Sequence, residues 1–76
     1  MTPKDIGQCV RDMRRAQGLR QDQLAGAAGV GVRFLVELEA GKSTAQIGKA
    51  LKVLAALGGT LRIEPPPEVE GGEPRT

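Results

Sequence analysis

The run Ala28-Gly29-Val30-Gly31 separates two short stretches that each carry helical apolar spacing, Gln21 to Ala28 and Val32 to Ala40. A chain can turn tightly there because Gly29 accepts the positive φ that closes a helix at its C-terminal end. Val30 reads as a buried turn residue, and Gly31 is an acceptable N-cap for the second stretch. Leu24, Ala25 and Ala28 form the inward side of the first stretch, and Gly41 ends the second.

Two more helices flank this pair. Thr2-Pro3-Lys4-Asp5 reads as a helix start, with Thr2 as cap, Pro3 at the first helical position and Asp5 near the positive end of the dipole. Ile6, Cys9, Val10, Met13 and Ala16 come next at helical spacing, which predicts one apolar stripe with Cys9 as a core thiol; Gly18 stops the helix. Ser43 and Gln46 match a capping box that opens a last helix. Its apolar positions, Ile47, Ala50, Leu51, Val53, Leu54 and Leu57, span more surface than one small core needs. Part of that side, with Val53 and Leu57 foremost, is therefore expected to face a second copy of the chain. Gly58-Gly59 stop this helix. The period then changes: Leu61 and Ile63 alternate with Thr60, Arg62 and Glu64, the pattern of a strand. No other segment offers it a partner, so pairing with the same strand of a second copy is expected, with Leu61 and Ile63 at the contact. "PPPEVEGGEPRT" carries too little apolar content to fold and is expected to be a disordered tail.

Composition narrows the function. At 76 residues the chain makes one small domain, marginal as a monomer unless something staples it. Cys9 is the only cysteine and there is no histidine, so neither an internal disulfide nor a His/Cys metal site is available, and no cofactor is expected. Self-association is the remaining supplement. With no nucleophile paired to a base, no carboxylate pair on one face and no phosphate-binding Gly motif, an enzyme is not expected. No apolar run approaches the roughly 20 residues of a membrane span, and a cytoplasmic protein with no membrane contact is expected. Residues 1–63 hold ten Lys/Arg against five Asp/Glu, whereas residues 64–76 hold Arg75 against four glutamates. A basic body suits a polyanion, and an acidic tail is a solvated or interaction segment.

Two short helices about a Gly-containing turn, with further helices packed beneath, describe a helix-turn-helix. In its second helix Phe34, Leu35 and Leu38 fall on one side, and Arg33, Val36, Glu37 and Ala40 on the other, with Val32 at their edge. That outward face suits a DNA major groove: Arg33 can donate twice to guanine, Glu37 can accept from cytosine, and Val36 or Val32 can touch a thymine methyl. An outward valine has little reason to sit on a merely solvated face. The bland alternative is a surface ion pair between Arg33 and Glu37, four residues apart.

The same stretch resembles a known family. Over Gly18–Lys42 the chain reads "GLRQDQLAGAAGVGVRFLVELEAGK". This is similar to the Xre/phage-repressor type of helix-turn-helix, whose core approximates "GLTQEELAxxxGVSxxxIxxLExGK". The further run "RFLVELEAGKSTAQIGKALKVLAALGGTLRI" resembles the HipB-like antitoxins of type II toxin–antitoxin systems. The likeness covers residues 6–64. It implies an all-α, four-to-five-helix lambda-repressor-like domain with one short C-terminal strand pairing across a homodimer. It also implies roles by position: Gln21 and Lys42 on phosphates, and Glu39 in a structural ion pair with Arg14. Two departures stand out. Arg20 replaces the usual Thr cap, trading a capping hydroxyl for a phosphate contact; Gly31 and Val32 replace positions that are often polar, which makes Arg33 more prominent in readout.

The expected organisation is a helix-turn-helix domain over 1–59, a dimerisation strand over 60–64 and a tail over 65–76. The expected function is a repressor that binds an inverted-repeat operator as a homodimer and, by the resemblance, serves as antitoxin to a HipA-like kinase. The alternatives are a stand-alone Xre-type regulator and an interaction module that has lost DNA binding.

Overall fold

The computed structural model of the chain describes residues 2–59, which form four helices: α1 (Pro3–Ala16), α2 (Gln21–Ala28), α3 (Val32–Glu39) and α4 (Ile47–Ala56). α1 packs on α3, and α2 packs on both α3 and α4. The core between them is small and apolar: Val10, Leu24, Ala25, Leu35, Leu38, Val53 and Leu57 are all buried.

Glycines set the lengths of the helices. Each of the four ends with a glycine at positive φ, namely Gly18, Gly29, Gly41 and Gly58. In each case the next amide reaches back five residues, as Leu19 N donates to Arg14 O and Val30 N to Ala25 O. The same bond joins Lys42 N to Glu37 O and Gly59 N to Leu54 O. This left-handed C-terminal turn satisfies carbonyls that a helix end would otherwise leave bare.

At the start of α1, Thr2 Oγ1 accepts from the Asp5 amide at 3.2 Å and Asp5 Oδ2 accepts from the Thr2 amide at 3.0 Å. The Thr2 amide, and then the Thr2 hydroxyl, hold the Asp5 carboxyl below its ordinary pKa. The stabilisation is therefore present above the usual carboxylate range and is lost as pH falls through the lowered value. At the other end of α1, Gln17 Nε2 donates to Leu57 O at 2.8 Å and ties α1 to the end of α4.

Three expectations are corrected here. Cys9 is exposed, its thiol 3.9 Å from Met13 Sδ, and Ala16 is exposed as well. The seam that α1 buries is Gly7, Val10 and Arg14, rotated from the centre of the apolar stripe by roughly a quarter of a turn at 100° per residue. A glycine and an arginine occupy that seam because one admits α3 closely and the other is drawn in by Glu39. Second, the Ser43–Gln46 capping box does not form. Ser43 lies in the turn after Gly41, where Ala45 N bonds to Lys42 O, and α4 begins at Ile47 with Gln46 as N-cap and no side-chain cap. Third, Val53 and Leu57 are 0% and 5% exposed within a single chain, so they have no surface to offer a second copy. Val53 and the C-cap Leu57 complete a core to which α1 gives Val10, α2 gives Leu24 and Ala25, and α3 gives Leu35 and Leu38. The large apolar side chains that α4 does expose are Ile47 and Leu51. The expected strand at 60–64, with Leu61 and Ile63, and the tail at 65–76 lie outside the described residues.

Candidate nucleic-acid interface

α3 buries Leu35, Leu38 and Glu39 and turns the opposite side outward. On that outer side Val32 is 44% and Val36 43% exposed, with Arg33 and Ala40 exposed beside them. Arg33 pairs with no carboxylate among the described residues, so the surface ion pair with Glu37 does not form. Glu37 instead meets Lys42, Oε2 to Nζ at 3.3 Å. Both side chains are about half exposed, and an ion pair of that kind contributes only about 0–1 kcal/mol. Exchanging it for contacts to a base and a phosphate therefore costs little.

Arg20 and Gln21 sit where α2 begins, and the structure treats them differently. Arg20 is the N-cap residue, but a guanidinium has no acceptor and cannot cap. Gln23 Oε1 supplies the reciprocal half by accepting from the Arg20 amide at 2.8 Å. The Arg20 side chain is exposed and lies 3.0 Å from Asp22 Oδ1; its hydrogen bond holds the Asp22 carboxyl below its usual pKa. Gln21 is half-buried, and its Nε2 donates to Glu39 Oε1 at 3.1 Å.

Behind this surface stands a buried polar anchor. Arg14 Nε donates to Glu39 Oε2 at 2.7 Å and Arg14 Nη2 to Glu39 Oε1 at 3.1 Å, a two-pronged pair. Arg14 Nη1 also reaches Leu19 O at 2.7 Å. Hydrogen bonding to Glu39 raises the Arg14 pKa further. No buried side-chain polar atom among the described residues lacks a partner. Through Glu39, α1 fixes α3, and α3 fixes the side chain that opens α2. The relative placement of α2 and α3 is thus set by polar contacts as well as by Leu24 and Leu35.

Gly31 caps α3 without a side chain, so the first amides of that helix receive no side-chain cap among the described residues. Such an end favours an anion. Gly31, Val32, Arg33 and Val36 lie together on the exposed side of α3; Glu37 and Lys42 border it at one flank, Gln21 at the other. No group of three His, Cys, Asp or Glu among the described residues could hold a metal. No helix there is long and apolar enough to cross a membrane.

A family model described as helix-turn-helix matches residues 10–63, from within α1 to beyond the described residues. The chain belongs to the helix-turn-helix family. An uncharacterized HTH-type transcriptional regulator, y4mF, of Sinorhizobium fredii is 63% identical to it over 67 residues, 88% of each chain. The helix-turn-helix unit itself is α2, the Gly29–Gly31 turn and α3, and the outward valines and Arg33 belong to its second helix.

Two residues around this unit carry no mark in the hydrophobic pattern of the sequence. Gly7 is one; a glycine inside an amphipathic pattern marks a close backbone approach, and that signal was available. Lys49 is the other. Its Nζ lies 5.7 Å from the centre of the Phe34 ring, fifteen residues away, and no spacing rule links the two.

Proposed function

We propose that this protein is a sequence-specific DNA-binding transcriptional repressor that lays α3 in the major groove and acts as a homodimer. The observation that carries the reading is the exposed side of α3. Arg33, without a carboxylate partner among the described residues, stands between two valines that are more than 40% exposed. A guanidinium and flanking methyl groups match guanine and thymine edges. The relative named as an HTH-type transcriptional regulator supports the same role. Selection from a randomised duplex library should enrich an inverted repeat with half-sites about 34–36 Å apart or a multiple of that. On that site Arg33→Ala should lose about 1–3 kcal/mol of affinity while the melting temperature stays put. Lys42→Ala should weaken binding to every duplex and flatten its salt dependence. A library that enriches nothing, or an Arg33→Ala protein with undiminished operator affinity, rejects the reading.

The homodimer rests on what α4 leaves uncovered. Ile47 is 69% and Leu51 43% exposed, one turn apart on the same face, and a chain of this size gains from a second copy. Leu51→Glu is expected to shift the protein from dimer to monomer in sedimentation equilibrium at micromolar concentration, and to lower operator affinity with it. A variant that remains a dimer moves the interface elsewhere, to the segment containing Leu61 and Ile63.

The antitoxin role is a further step, supported by the resemblance over Arg33–Ile63 to the HipB-like group. In it, a HipA-like kinase binds the outer face of the folded dimer and the acidic segment 65–76 adds a second contact. Co-purification of a neighbouring kinase with the full chain, and with a chain ending at Glu64, decides the matter. Retention by neither leaves a stand-alone regulator.

A further inference from the structure

Phe34 is the chain's sole aromatic residue, and it occupies an unusual place on α3. It is half-buried, packed at the edge of the core beside Leu35 and Leu38, and lies one helical turn before Glu37 on the same flank. Lys49, exposed in the first turn of α4, extends its ammonium over that ring at 5.7 Å from the centre. Glu37 in turn meets Lys42 at 3.3 Å. Lys42 and Lys49 therefore border the same side of α3. Gln21, held by Glu39, borders the other side.

A structural purpose for Lys49 is hard to find. α4 contains Lys49 and Lys52 and no acidic residue, so no partner within the helix rewards the charge. Among the described residues Lys49 makes no ion pair. Its place in the first turn opposes the helix dipole, which favours anions there. What the structure does supply is an aromatic face that restricts a long, flexible side chain while leaving its charge unneutralised.

A helix with its side chains is about as wide as the major groove, so its two flanks approach the two sugar-phosphate backbones that border the groove. We infer that Lys49 is a further DNA-phosphate contact, held ready on the Phe34 ring, and that with Lys42 it clamps the backbone on the α4 side of the reading helix. This inference rests on the DNA-binding reading above. Contacts of this kind fix the register of α3 without carrying sequence information themselves.

The test uses the full chain, its selected operator and a scrambled duplex of equal length, titrated across a salt series. Lys49→Gln should reduce the slope of log K against log salt by about 0.9 for each half-site occupied. Its affinity should fall several-fold on the operator and on the scrambled duplex alike, with an unchanged melting temperature. Lys49→Arg should restore the slope, since charge and ring stacking both survive. Phe34→Leu, which keeps an apolar side chain at the core edge, should retain the slope but lose affinity because the ammonium is no longer restrained. An unaltered slope in Lys49→Gln overturns the inference while Arg33→Ala still reports on groove reading. Should the wild-type chain bind neither duplex, the DNA-binding reading itself falls.

Discussion

Glu39→Ala is expected to destabilise the fold by about 3–5 kcal/mol, the cost of breaking a buried ion pair by removing one partner. Arg14 is 9% exposed and Glu39 8%, and the guanidinium would keep only the Leu19 carbonyl for three donors' worth of hydrogen bonding. A domain of this size has only about 4–11 kcal/mol of stability at 0.05–0.15 kcal/mol per residue, so much of the chain should be unfolded at 37 °C. Urea titration followed by circular dichroism gives the number. A paired replacement separates charge from shape. Arg14→Met with Glu39→Leu removes both ions and is expected to recover most of the stability, because buried pairs are replaceable by apolar groups. The doubly substituted protein should nevertheless bind DNA more weakly, since Gln21 loses the acceptor that orients it. If Glu39→Ala unfolds at the wild-type urea concentration, the pair is not the brace between α1 and α3.

The helix boundaries are legible in the sequence because each is written in a residue with one physical role. Gly18, Gly29, Gly41 and Gly58 all take the left-handed turn, and three of the four helix starts fall where the sequence places them. The fourth, at Ile47, fails on Ser43. A cap is recognised by the residue three positions on, and that rule cannot see that the chain spends Lys42 to Ala45 on a turn before α4 can begin. The face of α1 is illegible for a different reason. Hydropathy ranks Gly7 and Arg14 as outside and Cys9 and Ala16 as inside, yet burial here depends on partners elsewhere in the chain, the Leu38 and Glu39 backbone for one and the Glu39 carboxylate for the other. The outward side of α3 is readable from residue types and helical period, since Val32, Arg33 and Val36 are not needed in the core. The fate of Glu37 is not, because its choice between Arg33 and Lys42 depends on how the chain leaves α3.

Gly7→Ala is expected to lower stability by about 1–2 kcal/mol net, against the direction that helix propensity alone predicts. In an unencumbered helix interior, alanine is favoured over glycine by about 1 kcal/mol. Position 7 is not unencumbered. A Cβ there would fall on the Leu38 carbonyl oxygen, 2.8 Å from the Glu39 oxygen and 3.0 Å from the Glu39 carbonyl carbon. Those are backbone atoms at the end of α3, which cannot rotate aside as a side chain would, so α1 and α3 have to separate; overpacking of this sort costs about 1–3 kcal/mol and sometimes more. The separation also lengthens the Arg14–Glu39 contact, since Gly7 and Arg14 lie on one seam of α1, and the loss should therefore be less than additive with Glu39→Ala. Gly26→Ala provides the internal control. Gly26 is exposed on α2, and nothing stands within 4 Å of the Cβ it would gain, so the same substitution should stabilise by about 1 kcal/mol. Thermal melts of the two variants should thus move in opposite directions from the wild type. A Gly7→Ala protein melting at or above the wild-type temperature would mean that α1 does not cross α3 at this glycine.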